Sequence, residues 1–176
     1  MSLIIVILIA LSLSMDAFSL SLAYGTLNIK EKDMRILAVI VGIFHFFMPL
    51  LGLSIGEIIL NILPIKAELV VTIVLLIIGL QMIFSHEKEE LLELMNLMSM
   101  IMFAFAVSID SFSVGITLRT IYTHPIVSVT VFMIISSICT YIGLKLGKKV
   151  NQLIGTRATK LGGIMLIILA IFFYLK

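Results

Sequence analysis

The sequence predicts an all-α integral membrane protein with six transmembrane helices, arranged as two inverted-topology three-helix repeats. Three observations carry that prediction. Of 176 residues, 61% are hydrophobic and only 12% charged, with a mean hydropathy of +1.28. Soluble domains run nearer half apolar and a quarter charged. Apolar runs of spanning length recur six times, separated by short polar breaks. One short phrase also occurs twice, as Ser14-Met15-Asp16-Ala17-Phe18-Ser19 and as Ser108-Ile109-Asp110-Ser111-Phe112-Ser113.

A helix needs about 20 largely apolar residues to cross the hydrocarbon core. The spans read in order as Ser2–Tyr24, Met34–Ile58, Ala67–Phe84, Asn96–Leu118, Ile126–Leu146 and Leu161–Leu175. The breaks Gly25–Asp33, Glu57–Lys66, Ser85–Glu93, Arg119–Pro125 and Gly147–Lys160 are too short to hold a soluble domain, so residues 1–176 form a single membrane domain. Inside lipid every backbone polar group must be satisfied within the structure, and helices do this segment by segment. The first run has no basic leader and carries Asp16, so it reads as a span and not as a cleavable signal. A single cysteine, Cys139, excludes an internal disulfide.

Lys and Arg fix the expected orientation. Lys30, Lys32 and Arg35 at the first break, Lys88 at the third, and Lys145, Lys148, Lys149, Arg157 and Lys160 at the fifth make nine on one side. Lys66, Arg119 and Lys176 make three on the other. The richer side is cytoplasmic by the positive-inside rule, which predicts a multi-pass protein of the cytoplasmic membrane with both termini outside. The acidic group Glu87, Glu89, Glu90 and Glu93 then lies on the cytoplasmic side and reads as a solvated loop.

A second match follows each Asp phrase. Gly52-Leu53-Ser54-Ile55-Gly56 pairs with Gly143-Leu144-Lys145-Leu146-Gly147 at an offset of 91, against 94 for the aspartates. The two repeats therefore cover about residues 1–85 and 95–176. Three spans is an odd number, so the second repeat enters the membrane from the opposite side. Transporters built this way hold their substrates near the midplane, at the repeat interface.

An ionised carboxylate in mid-membrane is costly, and such residues mark functional sites. Asp16 and Asp110 each lie about two-thirds of the way along their spans, so inverted halves bring them together across the midplane. Two carboxylates there cannot both stay charged without a positive partner. No Lys or Arg lies at comparable depth, which leaves a cation or protons; one divalent ion would neutralise both. Ser19 and Ser113 stand three residues after the aspartates, on the same helical face. Ser14, Ser108 and Ser111 add hydroxyls, although Ser14 and Ser108 need a local bend to turn inward. These serines read equally as groups that bond their own helix backbone or ease close packing.

His45 is four residues before Pro49, which frees a backbone carbonyl one turn upstream. Aligning the glycine pairs sets it opposite Ser136. Carboxylate and carbonyl oxygens suit manganese, magnesium and calcium, whereas imidazole suits transition metals. An oxygen site with one nitrogen favours manganese or iron over calcium. His45 reads otherwise as a packed, hydrogen-bonded residue or a proton relay. Met15 and Met48 read as packing filler, and Gln81 either lines the pathway or bonds a neighbouring helix. The nucleotide-binding loop and the His-Glu-x-x-His metalloprotease pattern are absent, so neither direct ATP use nor an enzyme is expected. A carrier of organic cations and a non-transporting scaffold remain as rivals on these residues alone; the lack of Trp counts against the first.

The two Asp phrases, His45 followed by Met48-Pro49-Leu50-Leu51-Gly52, the run Val114-Gly115, the pair Gly143 and Gly147, and Leu161-Gly162-Gly163 together resemble the MntP-type manganese efflux pumps of bacteria. The resemblance covers essentially the whole chain. It implies Mn²⁺ export across the cytoplasmic membrane, with Asp16 and Asp110 as functional residues and His45 as the polar residue ahead of the Met-Pro pair. On this reading Mn²⁺ is cargo and no cofactor is needed. Protons are the expected coupling ion, no nucleic acid is involved, and a homo-oligomer is compatible with it. Fe²⁺, Cd²⁺ or a basic organic cation is the alternative cargo. A related sporulation-associated membrane family shares the Asp phrases; the Met-Pro-Leu-Leu-Gly stretch favours the exporter.

Overall fold

The computed structural model describes residues 3–27, 29–62, 96–121, 125–154 and 156–175, together with residues 72, 73, 76, 77, 79, 80, 83 and 84. Five long helices run through it: α1 Leu3–Gly25, α2 Glu31–Ile62, α3 Leu97–Ile121, α4 Pro125–Ile154 and α5 Thr156–Leu175. Among the described residues four stretches are long and apolar enough to cross a membrane, Ile4–Gly25, Glu31–Ser54, Leu97–Gly115 and Pro125–Leu153, and a shorter apolar one spans Thr159–Phe172. The protein is a helical multi-pass membrane protein. Most of the third predicted span, Gln81 included, lies outside the described residues, as do Lys66, Lys88, the acidic group at 87–93 and Lys176; its described residues are helical.

Local chemistry sets the helix ends. Asn96 caps α3, its Oδ1 accepting from the Ser99 N–H at 2.8 Å and from the Ser99 hydroxyl at 2.9 Å. Pro125 opens α4, where its missing N–H costs no hydrogen bond. Glu31 and Asp33 sit in the first turn of α2, favourably placed against the helix dipole. Beyond α1, the Thr26 hydroxyl donates to the Ala23 carbonyl at 2.6 Å and the Leu27 N–H to Tyr24 at 3.1 Å.

The break expected between Gly147 and Lys160 is largely helical: α4 runs on to Ile154 and α5 begins at Thr156. Lysines, asparagine and glutamine end an apolar run without ending a helix, since all are tolerated in a solvated helix. Gly147 is kept inside α4 by its neighbours. A β-carbon there would collide with the Leu22 carbonyl and stand 2.9 Å from the Gly25 α-carbon.

Glycine governs how the helices meet. On one side α1 lies along α4, where a β-carbon on Gly143 would come within 2.6 Å of the Phe18 carbonyl oxygen and 2.9 Å of Ser21. On the other, α2 lies along α3, where a β-carbon on Gly52 would strike the Phe112 carbonyl and stand 3.2 Å from the Gly115 α-carbon. Small residues let helix backbones touch, and in lipid that contact supplies most of the association. The two pairs join through α2 and α4 at Gly42, which faces Ser137 and the Met133 carbonyl.

Two apolar clusters fill the interior. The larger includes Tyr24, Met34, Leu37, Phe103, Leu144 and Leu166, with the rings of Tyr24 and Phe103 stacked at 4.8 Å between centroids. The smaller is built on Val6, Leu13, Val129 and Phe132. Outward faces are apolar as well: Val127, Ile134, Ile138, Ile142 and Leu146 form an exposed stripe along α4, a surface suited to lipid.

At one end the α1–α2 turn is tied to the α4–α5 junction. Asn151 Nδ2 and Thr159 Oγ1 both donate to the Thr26 carbonyl, at 2.6 and 2.9 Å, and Lys148 Nζ donates to the Ile29 carbonyl at 2.7 Å. Tyr141 donates its hydroxyl to Glu31. Lys30, Lys32, Arg35, Lys145, Lys148, Lys149, Arg157 and Lys160 thus gather at that end of the bundle.

Candidate functional site

Each of α1 to α4 carries a polar mid-span residue where it passes from one apolar cluster to the other. On α1, Leu13 belongs to the smaller cluster and Ala17 to the larger, with Asp16 between them. On α3, Val107 and Ile109 precede Asp110, and Val114 follows it on the other cluster. His45 on α2 separates Val41 and Phe44 from Phe46 and Leu50. Ser136 on α4 separates Phe132 and Ile135 from Tyr141 and Leu144. A polar layer between two apolar ones is the result.

Asp16 and Asp110 lie near enough for Asp110 to feel the charge of Asp16. Asp110 is half-buried and its Oδ1 accepts from the Ser111 N–H at 2.8 Å and from the Ser111 hydroxyl at 3.4 Å. Asp16 is the more exposed of the two. Ser19 is half-buried and Ser113 exposed. Ser14 and Ser108 are buried and point along their own helices, donating to the carbonyls of Ala10 and Ala104, each at 2.6 Å. Ser14 also reaches Ser136, 3.3 Å away on α4. A serine that bonds the carbonyl one turn back is satisfied without a second partner.

His45 is fully buried and its Nδ1 lies 2.9 Å from the Val41 carbonyl. That contact requires the proton on Nδ1, so in the neutral ring Nε2 carries a lone pair. Nε2 has no hydrogen-bond partner among the described residues. Ser21 and Thr140 also bury hydroxyls without partners there. Met48 is buried and Met15 exposed. Among the described residues no three side chains drawn from His, Cys, Asp and Glu cluster to hold a metal ion. Any ion bound here would therefore draw on hydroxyl, carbonyl or water oxygens to complete its shell.

Sequence reasoning missed the tie at the basic end. Asn151 and Thr159 sat in a stretch read as a loop, where a polar residue needs no explanation. It also gave no weight to Ser21 and Thr140, which look like ordinary hydroxyls of apolar helices.

Composition and fold define a multi-pass helical membrane protein. The family model described as "Putative manganese efflux pump" matches residues 28–173. Proteins named "Putative manganese efflux pump MntP" are similar over most of the chain. The one from Bacillus pumilus (strain SAFR-032) is 35% identical over 162 residues, 91% of this chain and 88% of its own. Those from Bacillus licheniformis and Geobacillus thermodenitrificans are 36% and 34% identical over 163 residues, covering 87% and 89% of their own lengths. The chain belongs to this family. Its description is that of a transporter, not an enzyme. No solved structure matches the chain.

Proposed function

We propose that the protein exports Mn²⁺ across the cytoplasmic membrane as a secondary transporter, with Asp16 and Asp110 binding the ion between two inverted halves. The observation that carries this reading is the proximity of two like-charged aspartates in a polar layer between two apolar clusters. Like charges share such a place stably only if a cation joins them. The names of the relatives supply the cargo and the direction. Ser19 and Ser113 stand one turn beyond the carboxylates as further oxygen donors, and His45 Nε2 is the available nitrogen.

The inverted-repeat reading draws support from matched contacts. Gly52 lies on the Phe112 carbonyl as Gly143 lies on that of Phe18. Phe18 and Phe112 occupy the same place in the two Asp phrases, and Gly52 and Gly143 in the two glycine pairs. Ser14 and Ser108 make the same backbone bond in each half.

Proton antiport is the energy source of this scheme: two protons entering the carboxylates as one dication leaves would move no net charge. Inverted membrane vesicles test the whole reading. Mn²⁺ accumulation that vanishes with Asp16→Asn and with Asp110→Asn is the expected result. Equal transport of a bulky organic cation, or wild-type transport by both variants, overturns it.

A further inference from the structure

We infer that Ser111 is a positioning residue, which holds the Asp110 carboxylate by Oδ1 and so offers Oδ2 to the transported cation. The inference rests on the reading of Asp110 as a ligand. Ser111 is fully buried, and both its backbone N–H, at 2.8 Å, and its hydroxyl, at 3.4 Å, are directed at the same oxygen, Oδ1. Hydrogen bonds to an ionised acceptor are stronger than neutral ones, and two on one oxygen restrict the side chain to a single rotamer. A ligand fixed before the ion arrives loses less entropy on binding.

The other half lacks this device. The position matched to Ser111 is Ala17, equally buried and without a hydroxyl. The phrases are otherwise closely matched, so the difference falls on the residue next to the functional group. The brace is therefore specific to Asp110, which is half-buried and held by Ser111.

The test uses the full-length protein in sealed vesicles, with Mn²⁺ as the probe. Ser111→Ala keeps the backbone N–H and loses only the hydroxyl bond, so KM for Mn²⁺ should rise about fivefold, the usual worth of one net hydrogen bond, while kcat holds. Ser111→Thr, which keeps the hydroxyl, should restore KM. Ser111→Cys fills the space of serine with a weak donor, so its KM should follow Ala if bonding matters and wild type if packing does. A Cys variant with wild-type KM, or an Ala variant with unchanged KM, overturns the inference. If Asp110→Asn itself leaves KM unchanged, the ligand reading fails instead. An inert Asp110→Asn and an inert Ser111→Ala are thus told apart.

Discussion

Gly115 and Pro49 meet backbone to backbone: a β-carbon at Gly115 would fall on the Pro49 carbonyl oxygen and lie 2.7 Å from the Pro49 α-carbon. Neither partner has a flexible side chain that could move aside. Gly115→Ala must therefore push α2 from α3, at a cost of about 1–3 kcal/mol or more. Thermal unfolding in detergent should show a lower midpoint, whereas the exposed Leu153→Ala should leave it unchanged.

Asp16→Asn and Asp110→Asn keep shape and remove charge. Cells carrying either variant should lose protection from manganese toxicity while the membrane content of the protein stays normal. Blotting of membranes alongside growth in graded manganese checks both. Loss of the protein itself would point to a packing role.

His45→Leu fills nearly the same space and removes both ring nitrogens. With Nε2 as the nitrogen donor, vesicle KM for Mn²⁺ should rise about tenfold, equivalent to roughly 1.4 kcal/mol, with abundance kept. An unchanged KM would assign His45 to packing through its bond to Val41.

Asn151 and Thr159 donate to one acceptor, the Thr26 carbonyl. Removing either leaves it partly served, and removing both leaves it without these donors. Asn151→Leu and Thr159→Val should each cost about 1 kcal/mol, and the double variant more than their sum. A double-mutant cycle on unfolding midpoints measures that coupling; strict additivity would mean the two bonds are independent.

Proton coupling has its own signature. Mn²⁺ loaded into proteoliposomes should leave faster when protons are concentrated outside, and dissipating the gradient should return the rate to its basal value. A rate indifferent to the gradient removes protons from the scheme.

Much of this architecture is legible in the residues because lipid leaves few choices. A 20-residue apolar run is a helix there, and α1 ends within one residue of its predicted limit. Glycines at 52, 115, 143 and 147 stand out in apolar runs, and small residues there let helix backbones approach closely, as they do in the structure. The doubled phrase singles out Asp16 and Asp110 in the sequence. The extension of α4 through Lys148 and Lys149 was not legible, because hydropathy records where lipid ends and not where a helix does. Nor was the bond from Ser111 to Asp110, which depends on a rotamer. The tie at Thr26 depends on the turn after α1 meeting the end of α4 and the start of α5 in space, and no spacing in the chain encodes that meeting.

The glycine contacts also dictate what can travel as a block. Each backbone-to-backbone partnership joins a helix of the first half to one of the second: α1 with α4, α2 with α3. In the proposed two-half arrangement the halves are thus interlaced, and neither swings away from the other without tearing both partnerships. The two mixed pairs meet along α2 and α4, where Gly42 faces Ser137 and the Met133 carbonyl. Each mixed pair carries one of the two aspartates, so in the proposed transport scheme a tilt of one pair against the other changes the gap between the carboxylates. The width of the proposed ion site and the tilt of the pairs are then one coordinate.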